Sequence, residues 1–389
     1  MRILDVCAFF SPEGGGVKTY VRRKMKAGAA RGHEIIILAP GARDEIVEER
    51  DGAVLATIAA PLFPLDRRYR YFDDEPRLHA ALDQWQPDVV EASSPWGSAS
   101  MVARWPGPAR KSLVMHADPL AAYAYRWFGS FASQQAIDWG FAPFWQHLRK
   151  LDEGFDLVVT AGQDLTRRLI EGGLEKVVTV PMGVEPGIFS PDYRDDALRA
   201  QLLQHCDLGP EATLLIGLGR LGAEKRWPMV IRAFEGAATA RPVGLVLFGN
   251  GPQHERVRRA IGYNPHANLF APIKDRVRLA QVLASADALI HGCEAETFCM
   301  VAAEARASGL PLIVPDRGGA SDQFVPGRGA IYLSGDQGDL RDKIVDFVAD
   351  DPAAHRARAT ADAGQVRTMD EHFQELFDIY AKQLVQRAA

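Results

Sequence analysis

At 389 residues, 47% of them hydrophobic, the chain is long enough for two domains with separate cores. Its net charge of −5 argues against nucleic acid as a partner, because a phosphate backbone is met as a rule by a basic binding domain. The four cysteines, Cys7, Cys206, Cys293 and Cys299, form no CxxC pair, which argues against structural zinc and fits a reducing compartment.

The opening MRILDVCAFF has no small-residue cleavage site and reads as a buried strand rather than a signal peptide. No apolar run approaches the roughly 20 residues that span a bilayer. The expectation is a cytoplasmic protein with no transmembrane segment, with peripheral contact at the inner face of the membrane left open.

Short apolar runs then alternate with helical stretches. Strands are expected at 3–8, 34–38, 54–58, 89–92, 112–115, 157–160 and 177–180. Most lack polar alternation, so both faces are buried and the sheet should be parallel under helices. The segment 184–193, with Pro186 and Pro191, has the composition of a linker. Beyond it the rhythm restarts with runs at 213–218, 244–248, 288–290 and 311–314, which gives a second doubly wound unit. The tail from Gln365 is helical by pattern, with Phe373, Leu376, Phe377, Tyr380 and Leu384 on one stripe. The stretch 121–150 is unusually aromatic; a core helix pair is the preferred reading, with an acceptor pocket or a membrane-facing surface as alternatives.

In doubly wound units the ligand lies beyond the carboxyl ends of the strands, and the glycine and polar signals of this chain fall there. Gly14, Gly15 and Gly16 follow the first strand and His116 the fifth; Arg220 and Lys225, then Gly249 and Gly251, follow strands of the second half. Gly217, Gly219 and Gly222 spell GxGxxG after a strand, but Pro228 marks a helix start six residues too late for a dinucleotide fold. Arg220 and Lys225 could clamp two phosphates, or could be ordinary surface charges. No DxD occurs, and no metal-ligand spacing or P-loop.

The most informative stretch is HGCEAETFCMVAAE, residues 291–304. Thr297 is placed to cap a helix whose first amides, at Phe298, Cys299 and Met300, would have no intrahelical partner and would suit an anion. Glu296 falls in the loop before that helix and Glu304 about two turns along it. Both could equally be helix-end charges in solvent.

Taken with GGGVKTYV, MHADP, VPMGVEPGIF, GRLGAEKRW, FGNGPQ and GGASD, in that order over nearly the whole chain, this stretch resembles glycosyltransferase family 4, retaining sugar transferases of the GT-B fold. The resemblance implies an α/β architecture of two doubly wound Rossmann-like domains facing each other across a cleft. Residues 1–185 would form the acceptor side, 186–364 the donor side, and 365–389 a helix crossing back to the first domain. It implies transfer of a hexose from a UDP- or GDP-sugar to a glycan or lipid-linked acceptor, with no cofactor and no metal.

The donor contacts carried over by the resemblance are Gly15, Gly16, Arg220, Lys225, Gly249, Glu296, Phe298, Cys299, Met300, Val301 and Glu304. Within them, Arg220, Lys225 and the amides of 298–301 would take the diphosphate, Glu304 the ribose and Glu296 the sugar; His116 would join Glu296, Arg220 and Lys225 at the reacting bond. A non-catalytic sugar-nucleotide or glycan subunit of the same fold is the alternative function. The chain departs from the family pattern at Cys299 and Arg226, where glycine is usual or frequent, at Met182 for asparagine and at Asp322 for glutamate.

Overall fold

The computed structural model describes residues 1–8, 10, 16–48, 52–64, 67, 69–129 and 131–388. They form two compact units. One comprises residues 1–117, 131–181 and 369–389, the other 118–130 and 182–368.

The first unit is built on an eight-stranded sheet. Its strands in chain order are β1 (Arg2–Cys7), β2 (Glu34–Gly41), β3 (Glu45–Glu48), β4 (Val54–Ala59), β5 (Val89–Ser93), β6 (Arg110–Met115), β7 (Leu157–Thr160) and β8 (Val177–Thr179). They lie in the order β3-β4-β2-β1-β5-β6-β7-β8, and every pair is parallel except β3 with β4. β5 is buried throughout and β1 from Ile3 on, and their apolar runs are interrupted by Asp5 and Glu91, which are buried too and face each other in register. Lys24, from the helix Gly16–Ala30, lies between those two carboxylates and reaches Asp5 at 2.8 Å, so no buried carboxylate there is left without a cation.

The tail helix Met369–Ala388 belongs to this unit: Phe373, Leu376, Phe377 and Tyr380 are buried, and the Tyr380 hydroxyl donates to Ser112 Oγ at 3.0 Å.

The second unit carries β9 (Thr213–Leu218), β10 (Val243–Phe248), β11 (Ala267–Phe270), β12 (Ala288–Ile290), β13 (Leu312–Pro315) and β14 (Gly329–Tyr332), all parallel, in the order β11-β10-β9-β12-β13-β14. Its core gathers Leu215, Leu245, Ile290 and Ile313 from the strands under Trp227, Val230 and Phe234 of the helix Trp227–Ala238. The chain order reverses at β9, which has β10 on one side and β12 on the other. Such a switch point leaves a crevice beyond the carboxyl ends of the two strands, where crossover connections diverge to opposite faces.

The aromatic stretch is not uniformly core. Ile137, Trp145, Leu148 and Leu151 are buried, but Tyr123, Trp127 and Phe128 in the second unit and Phe131 and Trp139 in the first are exposed, the last two by 87% and 84%.

Candidate active site

The crevice at the β9–β12 switch point is lined by two loops. The first leaves β9 at Gly219, makes a 3-10 turn at Ala223–Lys225 and enters the helix at Trp227, with Pro228 in its first turn, where a missing N–H costs nothing. Trp227 fixes this loop by donating its indole N–H to the Arg220 carbonyl at 3.3 Å. The glycine at 217 belongs to the same packing: a Cβ there would stand 2.7 Å from the Trp227 ring. The first glycine of the GxGxxG pattern is therefore accounted for by a tryptophan lying on the strand end.

Arg220 is exposed, and among the described residues no carboxylate pairs with it. Lys225 points inward and forms an ion pair with Glu296 Oε1, both side chains largely shielded from solvent. Burial alone would push Lys225 down, but the Glu296 carboxylate outweighs it and holds the ammonium above its ordinary range. For Glu296, burial pulls the other way and Lys225 wins again, so the carboxyl is held far below the usual carboxylate range. The pair is fully ionised at neutral pH. Arg226, at φ 49°, makes a second pair across the same loops, with its Nε 2.8 Å from Glu294 Oε2.

The second loop runs from His291 to Cys299. Its course differs from the sequence expectation: Thr297 does not cap the helix, which spans Met300–Ala307, and the capping position is Cys299 in the left-handed region at φ 64°. The amides of Ala302 and Ala303 already bond to the Cys299 carbonyl, so the amides open to an anion are those before them. Phe298 is fixed from below by Gln323, whose side-chain amide donates to its carbonyl at 3.3 Å. Gly249, beyond β10, lies so close to this crevice's first loop that a Cβ would come within 2.1 Å of the Gly219 carbonyl.

Glu304 is buried on the helix and accepts from Arg276 at 2.6 Å. Arg276 opens the helix Arg276–Ser285, capped by Asp275, and lies over the Phe189 ring at 4.9 Å. Sequence reasoning missed Arg276 because it stands 28 residues from its partner, on a helix with no motif. It also passed over His291, although the residue directly after a strand end carries a position signal. His291 is fully buried, with Nε2 3.4 Å from Glu296 Oε1 and 3.6 Å from Cys299 Sγ. Among the described residues, His291, Glu296 and Cys299 bring three potential ligand atoms within 4.8 Å of one another.

Arg220, Lys225, Gly249, Glu296, Phe298, Cys299, Met300, Val301 and Glu304 thus all belong to the second unit. His116 belongs to the first, past the end of β6, with its ring 4.8 Å from Tyr20 in an edge-on contact. Burial pushes its imidazole down to about 4, against the opposing pull of Asp5. Gly16 opens the helix Gly16–Ala30; Gly14 and Gly15 lie outside the described residues.

Two family profiles divide the chain between them: that of Glycosyltransferase Family 4 matches residues 14–187 and that of Glycosyl transferases group 1 matches residues 207–363. A GDP-mannose-dependent alpha-(1-6)-phosphatidylinositol dimannoside mannosyltransferase of Mycobacterium tuberculosis (strain ATCC 25177 / H37Ra) is 31% identical over 81% of this chain and 79% of its own length. The chain belongs to glycosyltransferase family 4.

A second relative, a GDP-mannose-dependent alpha-mannosyltransferase of Mycobacterium tuberculosis (strain CDC 1551 / Oshkosh), is 29% identical over 90% of this chain and 87% of its own length. Among solved structures, sucrose-phosphate synthase from Thermosynechococcus elongatus superimposes with a TM-score of 0.75 at 18% identity, covering 99% of this chain and all of the other. HepE of Anabaena, solved with UDP and glucose, gives 0.69 at 17% identity over 98% of this chain and all of the other. These likenesses establish the GT-B fold. The family 4 protein is a glycosyltransferase that takes its sugar from a nucleotide donor. Among its described residues no helix is long and apolar enough to cross a membrane.

Proposed function

We propose that this glycosyltransferase moves a hexose, mannose from GDP-mannose in the first instance, to a glycan or lipid-linked acceptor with retention of anomeric configuration and without a metal. The observation that carries this reading is the shielded Lys225–Glu296 ion pair at the β9–β12 switch point, on the same loop as the exposed Arg220. Two cations and a helix start supply the charge that a metal supplies elsewhere. The donors named for the two mycobacterial relatives support GDP-mannose.

As the bond from the anomeric carbon to the diphosphate oxygen lengthens, positive charge grows on the sugar and negative charge on the leaving group. Arg220 and Lys225 meet the negative charge with charge-assisted bonds, joined by the amides of Phe298 to Val301. Glu296 keeps Lys225 charged and aimed, and reaches the sugar hydroxyls with its second oxygen. The acceptor oxygen attacks from the same face, its proton passing to the departing phosphate oxygen, so no protein nucleophile is needed. Glu304, held by Arg276, accepts from the ribose hydroxyls. The exposed aromatics of 123–139 support a lipid-linked acceptor met at a membrane surface, since rings of this kind partition to the headgroup region.

The test is a transfer assay with GDP-mannose, UDP-glucose and other donors, in EDTA, on glycan and glycolipid acceptors. Turnover in EDTA with a GDP- or UDP-sugar is expected; a strict requirement for added Mg²⁺ or Mn²⁺ would remove the metal-free reading.

A further inference from the structure

We propose that His291, Glu296 and Cys299 form an inhibitory site for a thiophilic divalent cation of the zinc and cadmium class, whose binding displaces Lys225 from Glu296. Zinc bonds of about 2.0–2.3 Å in a tetrahedron put neighbouring ligand atoms roughly 3.3–3.7 Å apart. The His291 Nε2 lies 3.4 Å from Glu296 Oε1 and 3.6 Å from Cys299 Sγ, with all three within 4.8 Å. Nitrogen, carboxylate and thiol are the donor set zinc takes, and three protein ligands leave a fourth position for water.

Two further observations point the same way. Cys299 keeps a side chain at φ 64°, a conformation that costs a non-glycine residue energy and that glycine would adopt freely. In that turn the thiol lies 3.6 Å from the His291 Nε2. And among the described residues the buried His291 Nδ1 has no hydrogen-bond partner, so no neighbour forbids the tautomer with its proton on Nδ1, which leaves the Nε2 lone pair for a cation.

At present the charge on Glu296 is matched by Lys225. A divalent cation that takes Glu296 Oε1, the oxygen that Lys225 holds, displaces the ammonium from it, and the Cys299 thiol gives its proton to solvent as the metal–sulfur bond forms. The freed Lys225 can then no longer be held where a diphosphate would meet it. The metal-binding half of this proposal stands on the three ligands alone; the inhibitory half rests on the donor reading given above.

Titration of the purified full-length protein with Cd²⁺, followed by the ultraviolet thiolate-to-metal charge-transfer band and by calorimetry with Zn²⁺, tests it. One equivalent is expected to bind with the band present, retained in Cys293→Ser and absent in Cys299→Ser. Lys225→Ala should bind Cd²⁺ more tightly, by roughly ten- to a hundredfold, because it removes the competing charge-assisted bond. No band in the wild type, a band that survives Cys299→Ser, or unchanged or weaker binding in Lys225→Ala would overturn the site. GDP should compete with Cd²⁺ in the wild type. Metal binding with no competition would overturn the inhibitory half and count against the donor reading, whereas efficient transfer with no metal binding would sink the inference and leave that reading intact.

Discussion

Replacing Lys225 by methionine keeps the aliphatic stem and removes the charge, which leaves Glu296 facing the crevice without its partner. Breaking one side of a shielded pair costs about 3–5 kcal/mol when the remaining charge has no other escape. Here it has one: Glu296 can take a proton. Neutralising a carboxyl of ordinary value about 4.3 at pH 7 costs about 3.7 kcal/mol, at 1.36 kcal/mol per unit, which sets a ceiling. About a quarter of the Glu296 side chain is open to solvent, so the loss should fall below the ceiling, near 3 kcal/mol. For a unit of about 200 residues that is roughly 6–12 °C in melting temperature. The ceiling falls with pH and is only about 1 kcal/mol at pH 5. In the wild type the depressed Glu296 value contributes stability present above the unfolded value of about 4.3 and lost as pH falls through the folded value, while the raised Lys225 value contributes below about 10.4 and is lost as pH rises through its folded value. Wild type and variant should therefore diverge most between pH 7 and 9 and converge towards pH 5, with Lys225→Met/Glu296→Gln more stable than Lys225→Met alone at pH 7. Thermal melts across that range are the assay. A variant as stable as the wild type at pH 7, or an equal loss at pH 5 and pH 8, would refute the pairing.

Arg220→Ala removes an exposed side chain that no carboxylate among the described residues pairs with, so it should leave the melting temperature nearly unchanged while transfer falls roughly 10- to 100-fold; paired melts and initial rates would show a structural role instead if the two fell together. Cys299→Gly should be neutral or stabilising by up to about 1 kcal/mol, since glycine accepts the left-handed backbone, while Cys299→Ala should gain nothing; denaturant midpoints of the two decide it. His116, held down to about 4 by burial, should show no imidazole titration from about pH 5.5 to 8.5 by NMR, and its neutral form favours the fold above the unfolded value of about 6.5 and loses that advantage as pH falls.

The central strands were legible because burial on both faces demands apolar runs: β9 and β12 have them, and β1 and β5 carry one carboxylate each, Asp5 and Glu91, inside otherwise apolar stretches. The strands that the sequence reading missed, β3, β11 and β14, are all at sheet edges, where one flank is open and polar residues are tolerated; the four residues of β3 are exposed throughout. β8 is also an edge strand, yet Val177 and Val178 made it visible. At the site, Lys225 and Glu296 were readable as charges in loops after strands, but their pairing was not, since it joins positions 71 apart. The misplaced helix start came from treating Thr297 as an ordinary cap. The chain instead turns once more through a left-handed Cys299, a conformation that propensity does not anticipate for a residue with a Cβ. Arg276 left no signal because only the packing of two helices brings it to Glu304.

In this mechanism the donor's diphosphate is held on the second unit by Arg220 and Lys225. Calorimetric titration of the full-length protein with GDP measures this most directly. Arg220→Ala and Lys225→Ala should each weaken GDP binding by roughly tenfold or more, while His116→Ala, on the other unit, should leave it within about twofold. Full affinity in both cation variants, or NAD bound as tightly as GDP, would contradict it.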